Sequence, residues 1–251
     1  MELSSLSFLA DSGSLILMAG GFVVGILSVV FGGGMFFSVP LMQWVFPGIT
    51  FGAVVGNIKM GSLFRSIGST WTTRTQIEYR RNIEISALAL VGTVCGAFLI
   101  AYLSQAWILP ATILAVVFAE LAPRIASRIT NKTFHLAAFV CGFYAGTFGA
   151  GLGLILVALV RLKHPADAEI ALVKIQARFI EFMLVIVAVA THWYGGNLLF
   201  AVWLPWSIGS LAGGYVGGLV LSYLSKFSGV VQKVILRVAY VISILTAAVH
   251  L

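Results

Sequence analysis

Val30-Phe31-Gly32-Gly33-Gly34-Met35-Phe36-Phe37-Ser38-Val39-Pro40 interrupts an otherwise continuous apolar run. Each glycine disfavours a helix by about 1 kcal/mol relative to alanine, and glycine lets a backbone open where a side chain would clash. Inside a membrane, open backbone persists only beside protein or a water-filled cavity. The stretch therefore reads as a broken membrane helix next to a cavity. A partial echo lies in the second half, Gly146-Thr147-Phe148-Gly149-Ala150-Gly151-Leu152-Gly153-Leu154.

Composition supports a membrane setting. The 251 residues are 60% hydrophobic and 9% charged, against about 25% charged in a soluble domain. So few charges cannot cover a soluble surface, and several runs reach the ~20 apolar residues of a membrane helix. The fold class expected is an all-α polytopic membrane protein, one domain over residues 1–251. The formal net charge of +7 does not indicate nucleic acid, because the bases are scattered over loops and single helix positions. Excess Lys and Arg in a membrane protein mark cytoplasmic loops and attract anionic lipid. Cys95 and Cys141 lie in apolar runs and read as small core residues. No cleavable signal peptide is evident at the N-terminus.

The first apolar helix covers residues 14–31, with a Gly21/Gly25 packing face. A second piece, 35–46, ends at Pro47-Gly48, a turn signal. As one helix the two would run ~50 Å, too long for a ~30 Å hydrocarbon core. A long tilted helix and a re-entrant hairpin are the two options. Helices are expected over 50–70, 85–103 and 106–121, with polar loops at 71–84 and 123–132. The second half repeats the order. A broken run covers 135–162, helices cover 167–190, 198–224 and 231–248, and a loop covers 192–197. Gly209, Gly213 and Gly217 form a packing stripe.

Loop charge selects between the two options. The Arg74–Arg81 and Arg124–Lys132 loops belong on the cytoplasmic side. If residues 135–162 cross once, Arg161, Lys163, Lys226 and Lys233 fall outside. If the run turns back, all four fall inside. The positive-inside rule thus favours a hairpin at each glycine break. Each half, 14–121 and 133–250, then holds one hairpin and three spans, which is an inverted repeat of the kind secondary transporters use.

Bases inside membrane helices are costly and face cavities or substrate paths. Lys59 and Arg65 lie within one helix, and Lys174 and Arg178 within another, with Glu181 nearby. Lys174, Arg178 and Glu181 share a face at i, i+4, i+7. Lys59, Ser62 and Ser66 share a comparable face, from which Arg65 is turned by about a third of a turn. Aligning the halves pairs Lys59 with Lys174. A structural Arg178–Glu181 ion pair with a snorkelling Lys59 is the plainer alternative. The surplus of positive charge calls for a counter-charge, either a transported anion or anionic lipid. His135, His164, His192 and His250 sit near segment ends without zinc-ligand spacing. There is no nucleophile elbow, Walker loop or Rossmann fingerprint, so neither an enzyme, a metal nor a cofactor is expected.

The segments Gly21–Leu41 (GFVVGILSVVFGGGMFFSVPL) and Gly142–Val160 (GFYAGTFGAGLGLILVALV) resemble the twice-repeated glycine-rich motif of the TauE/SafE family of sulfite and organosulfur anion exporters. Length, segment number and half-chain repeat agree. The resemblance implies transport of sulfite or of sulfonates such as sulfoacetate across the inner membrane. The chain departs from the family where a Thr-Ser pair is common, reading Gly56-Asn57-Ile58-Lys59 and Ala171-Leu172-Val173-Lys174. It also has Ala158 where a proline would close the second motif.

The expected substrate-binding set is the backbone of Gly32, Gly33, Gly34, Gly149, Gly151 and Gly153 with the side chains of Asn57, Lys59, Ser62, Arg65, Lys174, Gln176 and Arg178. Glu181 is the candidate for a coupling proton. The partners considered are a small anion, membrane lipid and a second copy of the chain. An anion channel and a lipid-binding scaffold are the competing readings.

Overall fold

A computed structural model describes residues 12–30, 33–101, 103, 105–149, 152–164, 170–223 and 241. Gly32, Gly151, Lys226, Lys233 and His250 lie outside the described residues, as does the helix expected at 231–248 apart from Val241. The described residues form α1 (Ser12–Val30), α2 (Gly34–Val45), α3 (Phe51–Thr73), α4 (Tyr79–Ala101), α5 (Ile108–Arg128), α6 (Phe134–Thr147), α7 (Leu152–Lys163), α8 (Ile170–Tyr194) and α9 (Phe200–Tyr223). No strand occurs among them.

Both glycine breaks reverse the chain. A β-carbon on Gly20 of α1 would collide with the Leu41 side chain of α2. Along one straight helix those residues would stand ~30 Å apart. At the second break, the Lys163 ammonium at the end of α7 lies 4.6 Å from the centre of the Phe134 ring at the start of α6. Each break is thus a hairpin with its two outer ends side by side. Gly33 and Gly149 sit at the tips with φ of 69° and 71°, a left-handed conformation that other L-residues enter at a cost of about 1–2 kcal/mol. Lys163 also bonds Glu84 of α4 at 2.7 Å, which brings the outer end of the second hairpin to the Arg74–Arg81 connection.

The first hairpin helices are gripped by glycine contacts. Gly21 and Gly25 of α1 meet the backbone of α9, with Gly25 opposite Gly213. Gly142 and Gly146 of α6 meet the backbone of α4 at Ala89 and Thr93. The Gly209/Gly213 stripe closes on Met18 and Phe22 of α1. Close backbone approach of this kind drives association where lipid supplies no hydrophobic force.

The distribution of side chains is that of a membrane protein. Asn57, Lys59 and Arg65 are buried, whereas Leu114 and Leu136 are 66% and 67% exposed. Large apolar groups face outward over α1, α4 and α5, and those three helices are long and apolar enough to span a membrane. Helices α3, α8 and α9 have 23, 25 and 24 residues, long enough to reach across a ~30 Å core.

Several boundaries differ from the sequence expectation. α4 begins at Tyr79, so the connection after α3 is shorter than residues 71–84. α5 continues through Pro123 to Arg128, where a loop was expected. A proline removes one backbone bond and kinks the helix, but Ser127 Oγ bonds the Arg124 carbonyl at 2.9 Å and supports the final turn. α8 continues to Tyr194, so His192 is a fully buried helical residue and not part of a loop. Cys95 is exposed on α4, so only Cys141 is a core cysteine.

Candidate functional site

α3 and α8 cross antiparallel. Asn57, near the start of α3, reaches the turn after α8. Its Nδ2 donates to the Asn197 carbonyl at 3.4 Å and its Oδ1 accepts from the Leu199 N–H at 3.0 Å. At the other end, Gln176 of α8 binds the α3–α4 connection. It donates to the Gln76 carbonyl at 2.7 Å and accepts from the Glu78 N–H at 2.9 Å and from Asn82 Nδ2 at 2.7 Å. Asn57 and Gln176 therefore clamp the two ends of the crossing.

Between these clamps lies a cavity of about 50 Å³, room for more than one water. It is lined by Gly33, Gly34 and Met35 from the first tip and by Phe148, Gly149, Leu152 and Gly153 from the second. Lys59, Ser62 and Arg65 enter from α3, Arg178, Glu181, Leu184 and Val185 from α8, and Ser28 from α1. The tips touch through Phe36 and Phe148, whose ring centres are 5.9 Å apart.

Three of the charged groups are joined directly, and Lys59 binds backbone instead. Glu181 Oε1 accepts from Arg65 Nη2 at 3.0 Å, and its Oε2 accepts from Arg178 Nη1 at 2.9 Å. Arg178 Nη2 also donates to the Ser28 and Val29 carbonyls at 2.9 and 2.7 Å. Lys59 Nζ donates to the Ala145 and Phe148 carbonyls at 2.5 and 3.4 Å. The last carbonyls of a helix have no intrahelical partner and carry the negative end of the helix dipole. Arg178 thus satisfies the end of α1, and Lys59 the end of α6. Each half of the chain supplies the base that closes the first hairpin helix of the other half.

The sequence expectation and this geometry diverge at named positions. Arg65 lines the same cavity as Lys59 and Ser62. A helical wheel has little force in α3, where every residue from Phe51 to Ser62 is buried, and the long guanidinium arm covers the offset. Lys174 is exposed and does not line the cavity, because it sits a full turn nearer the start of α8. The counterpart of Lys59 is Arg178, by what each side chain holds. Asn57 and Gln176 are buried but also lie away from the cavity. Ser28 was missed. Its Oγ is buried, without a hydrogen-bond partner, and lines the cavity. A hydroxyl in the last turn before the break was the available signal.

Glycine at position 34 is enforced by its surroundings, since a β-carbon there would strike Ser28 and stand 2.9 Å from Arg65 Nη1. At Gly149 it would stand 3.1 Å from Lys59 Nζ. Both tips open into short helices, and Gly33, the N-cap of α2, provides no side-chain cap. Uncapped helix starts present N–H donors and the positive dipole end, which favour anions. The cavity lies against both tips and sets three cationic side chains against one carboxylate, so its chemistry suits a small oxyanion. Among the described residues there is no cluster of His, Cys, Asp and Glu able to hold a metal.

Among the described residues the protein is all-helical, with apolar faces outward and a cationic cavity at a double hairpin. Residues 17–250 match the family model described as Sulfite exporter TauE/SafE, and the chain belongs to that family. Proteins of this family are transporters, which makes a small anion the substrate class. A search of the curated proteins found no match, and a search of solved structures found none.

Proposed function

We propose that the protein is a secondary transporter that exports sulfite or a small sulfonate such as sulfoacetate across the inner membrane by alternating access, with the anion bound in the cavity between the hairpin tips. The observation that carries this reading is the convergence of Lys59, Arg65 and Arg178 with glycines of both tips on one cavity midway along α3 and α8. A lipid-binding scaffold accounts for it less well, since Lys59 and Arg65 are buried and engage groups of the protein itself.

An inverted repeat of residues 14–121 and 133–250 supplies the two opposed hairpins that alternating access requires. Two regularities support it. α1 packs on α9 as α6 packs on α4. Arg65 follows Gly33 by the same interval as Glu181 follows Gly149. Basic residues gathered at the α3–α4 connection and the outer end of the second hairpin mark the cytoplasmic side.

The test is flux in liposomes carrying the purified protein, with sulfite, sulfoacetate, sulfate and acetate offered in turn. Saturable movement of sulfite or sulfoacetate is expected, and Arg65→Gln should lower its kcat/KM by about 10–100-fold, the value of a hydrogen bond to a charged group. Non-saturating conductance would instead indicate a channel. Failure of every anion to move would overturn the reading.

A further inference from the structure

The inference concerns Glu181 and rests on the transport reading above. Its carboxylate is itself a small oxyanion, and it lies in the cavity with one oxygen on each guanidinium, 3.0 Å from Arg65 and 2.9 Å from Arg178. The donors that suit a sulfite or sulfonate oxygen are therefore already engaged by an oxygen of the chain.

We infer that Glu181 is a tethered stand-in for the transported anion. It offsets one of the two guanidinium charges of Arg65 and Arg178 and occupies a donor on each when the site is empty, and it yields those donors when substrate arrives. The geometry allows the exchange. Arg178 keeps its place when the carboxylate leaves, because its other nitrogen is held by the Ser28 and Val29 carbonyls. Glu181 lines the cavity and keeps 18% side-chain exposure, so the cavity is the direction in which its carboxylate swings.

The consequence is kinetic. A site with buried cations and no counter-charge resists burial during reorientation, since desolvating unpaired charge is costly. A carrier with that defect can turn over only when loaded, and it exchanges one anion for another. A tethered carboxylate lets the empty carrier return, which permits net export. Glu181 is in this sense a positioning residue for the empty state and a competitor for the loaded one.

The test compares two fluxes in liposomes preloaded with sulfite, first into anion-free buffer and then into buffer containing sulfite. The unaltered protein should sustain both. In Glu181→Gln, net efflux should fall at least about tenfold relative to exchange. Exchange should half-saturate at roughly tenfold lower sulfite, because the competitor is gone. A merely structural carboxylate would weaken binding and depress both fluxes together, and that result overturns the inference. So does an unaltered protein that only exchanges. If Glu181→Gln does not fold, Glu181→Asp is measured, and its shorter arm should lower the ratio of net to exchange flux. An unchanged ratio overturns the inference. Absence of both fluxes in the unaltered protein instead refutes the transport reading beneath it.

Discussion

The two hairpins share a frame and differ in charge. In each, a left-handed glycine marks the tip, the first helix is gripped through glycines by a helix of the other half, and a base of the other half holds the final carbonyls. The base is Lys59 for the second hairpin and Arg178 for the first. The mid-helix positions that answer to each other carry opposite signs, Arg65 on α3 and Glu181 on α8. Two similarly built hairpins can thus meet an unlike set of charges. The frame comes from packing, which tolerates repetition. The charges differ because Glu181 sets one carboxylate against buried Lys59 and Arg65 and half-buried Arg178.

Charge reversal should strain that comparison most. Arg65→Glu would place two carboxylates together and break a buried pair, which costs about 3–5 kcal/mol. The double variant Arg65→Glu with Glu181→Arg should recover most of the loss if the two positions are equivalent. Thermal unfolding in detergent measures both as a double-mutant cycle. No recovery would break the equivalence.

Removing a base from one hairpin at a time comes next. Lys59→Ala and Arg178→Ala should each cost about 1–3 kcal/mol in stability from carbonyls left unsatisfied, and should lower sulfite flux. Arg178→Ala should cost more, since it also strips a partner from Glu181. Equal effects would mean that Glu181 gains nothing from Arg178.

The tips should then sort themselves by backbone. Gly33→Ala and Gly149→Ala should lose about 1–2 kcal/mol from the positive φ alone. Gly153→Ala, whose β-carbon would meet nothing within 4 Å, should leave stability within about 0.5 kcal/mol. Equal losses at all three would remove the argument for left-handed tips.

A smaller effect separates the outer ends. The first hairpin ends at Pro47-Gly48 with nothing to titrate, whereas the second ends at His164, near Glu78 and Arg81. Burial pushes the His164 imidazole below its usual range, with Glu78 opposing and Arg81 reinforcing the shift. The folded state therefore binds this proton less readily than the unfolded chain. The linked stability is intact above about pH 6.5, the ordinary histidine value, and is lost as pH falls below it. Hydrogen exchange across α7 should quicken in mild acid, and His164→Gln should remove the response. Smallest of all, Lys174→Ala should change sulfite flux less than about twofold, because the ammonium is exposed and away from the cavity. A loss equal to that of Lys59→Ala would restore the pairing that sequence alignment gave these lysines.

Much of the frame was legible in the residues. Consecutive glycines in an apolar run marked the first tip, and loop charge chose the hairpin over the kink. Bases within apolar helices marked α3 and α8 as the helices that face inward. What failed were arguments from the face of a helix and from residue identity. Arg65 was expected in the site and lines the cavity, but the third of a turn that sets it off from Lys59 and Ser62 has no meaning on α3, which is buried all round over most of its length. Lys174 was matched to Lys59 as one lysine to another, whereas the carbonyls that each base must reach pair Lys59 with Arg178. Asn57 and Gln176 were counted with the ligands as polar residues on the helices that carry the bases, but their partners are the chain's own turns.

The exchange of caps between halves also bears on the order of synthesis. α1 is synthesised well before its capping base Arg178 on α8 and its packing partner α9. Until then its last carbonyls and its glycine face must be satisfied by water, lipid or the insertion machinery. The nascent chain is thus held open until α8 and α9 have been made. A chain stopped after α5 should be cleared by membrane proteases much faster than the complete one.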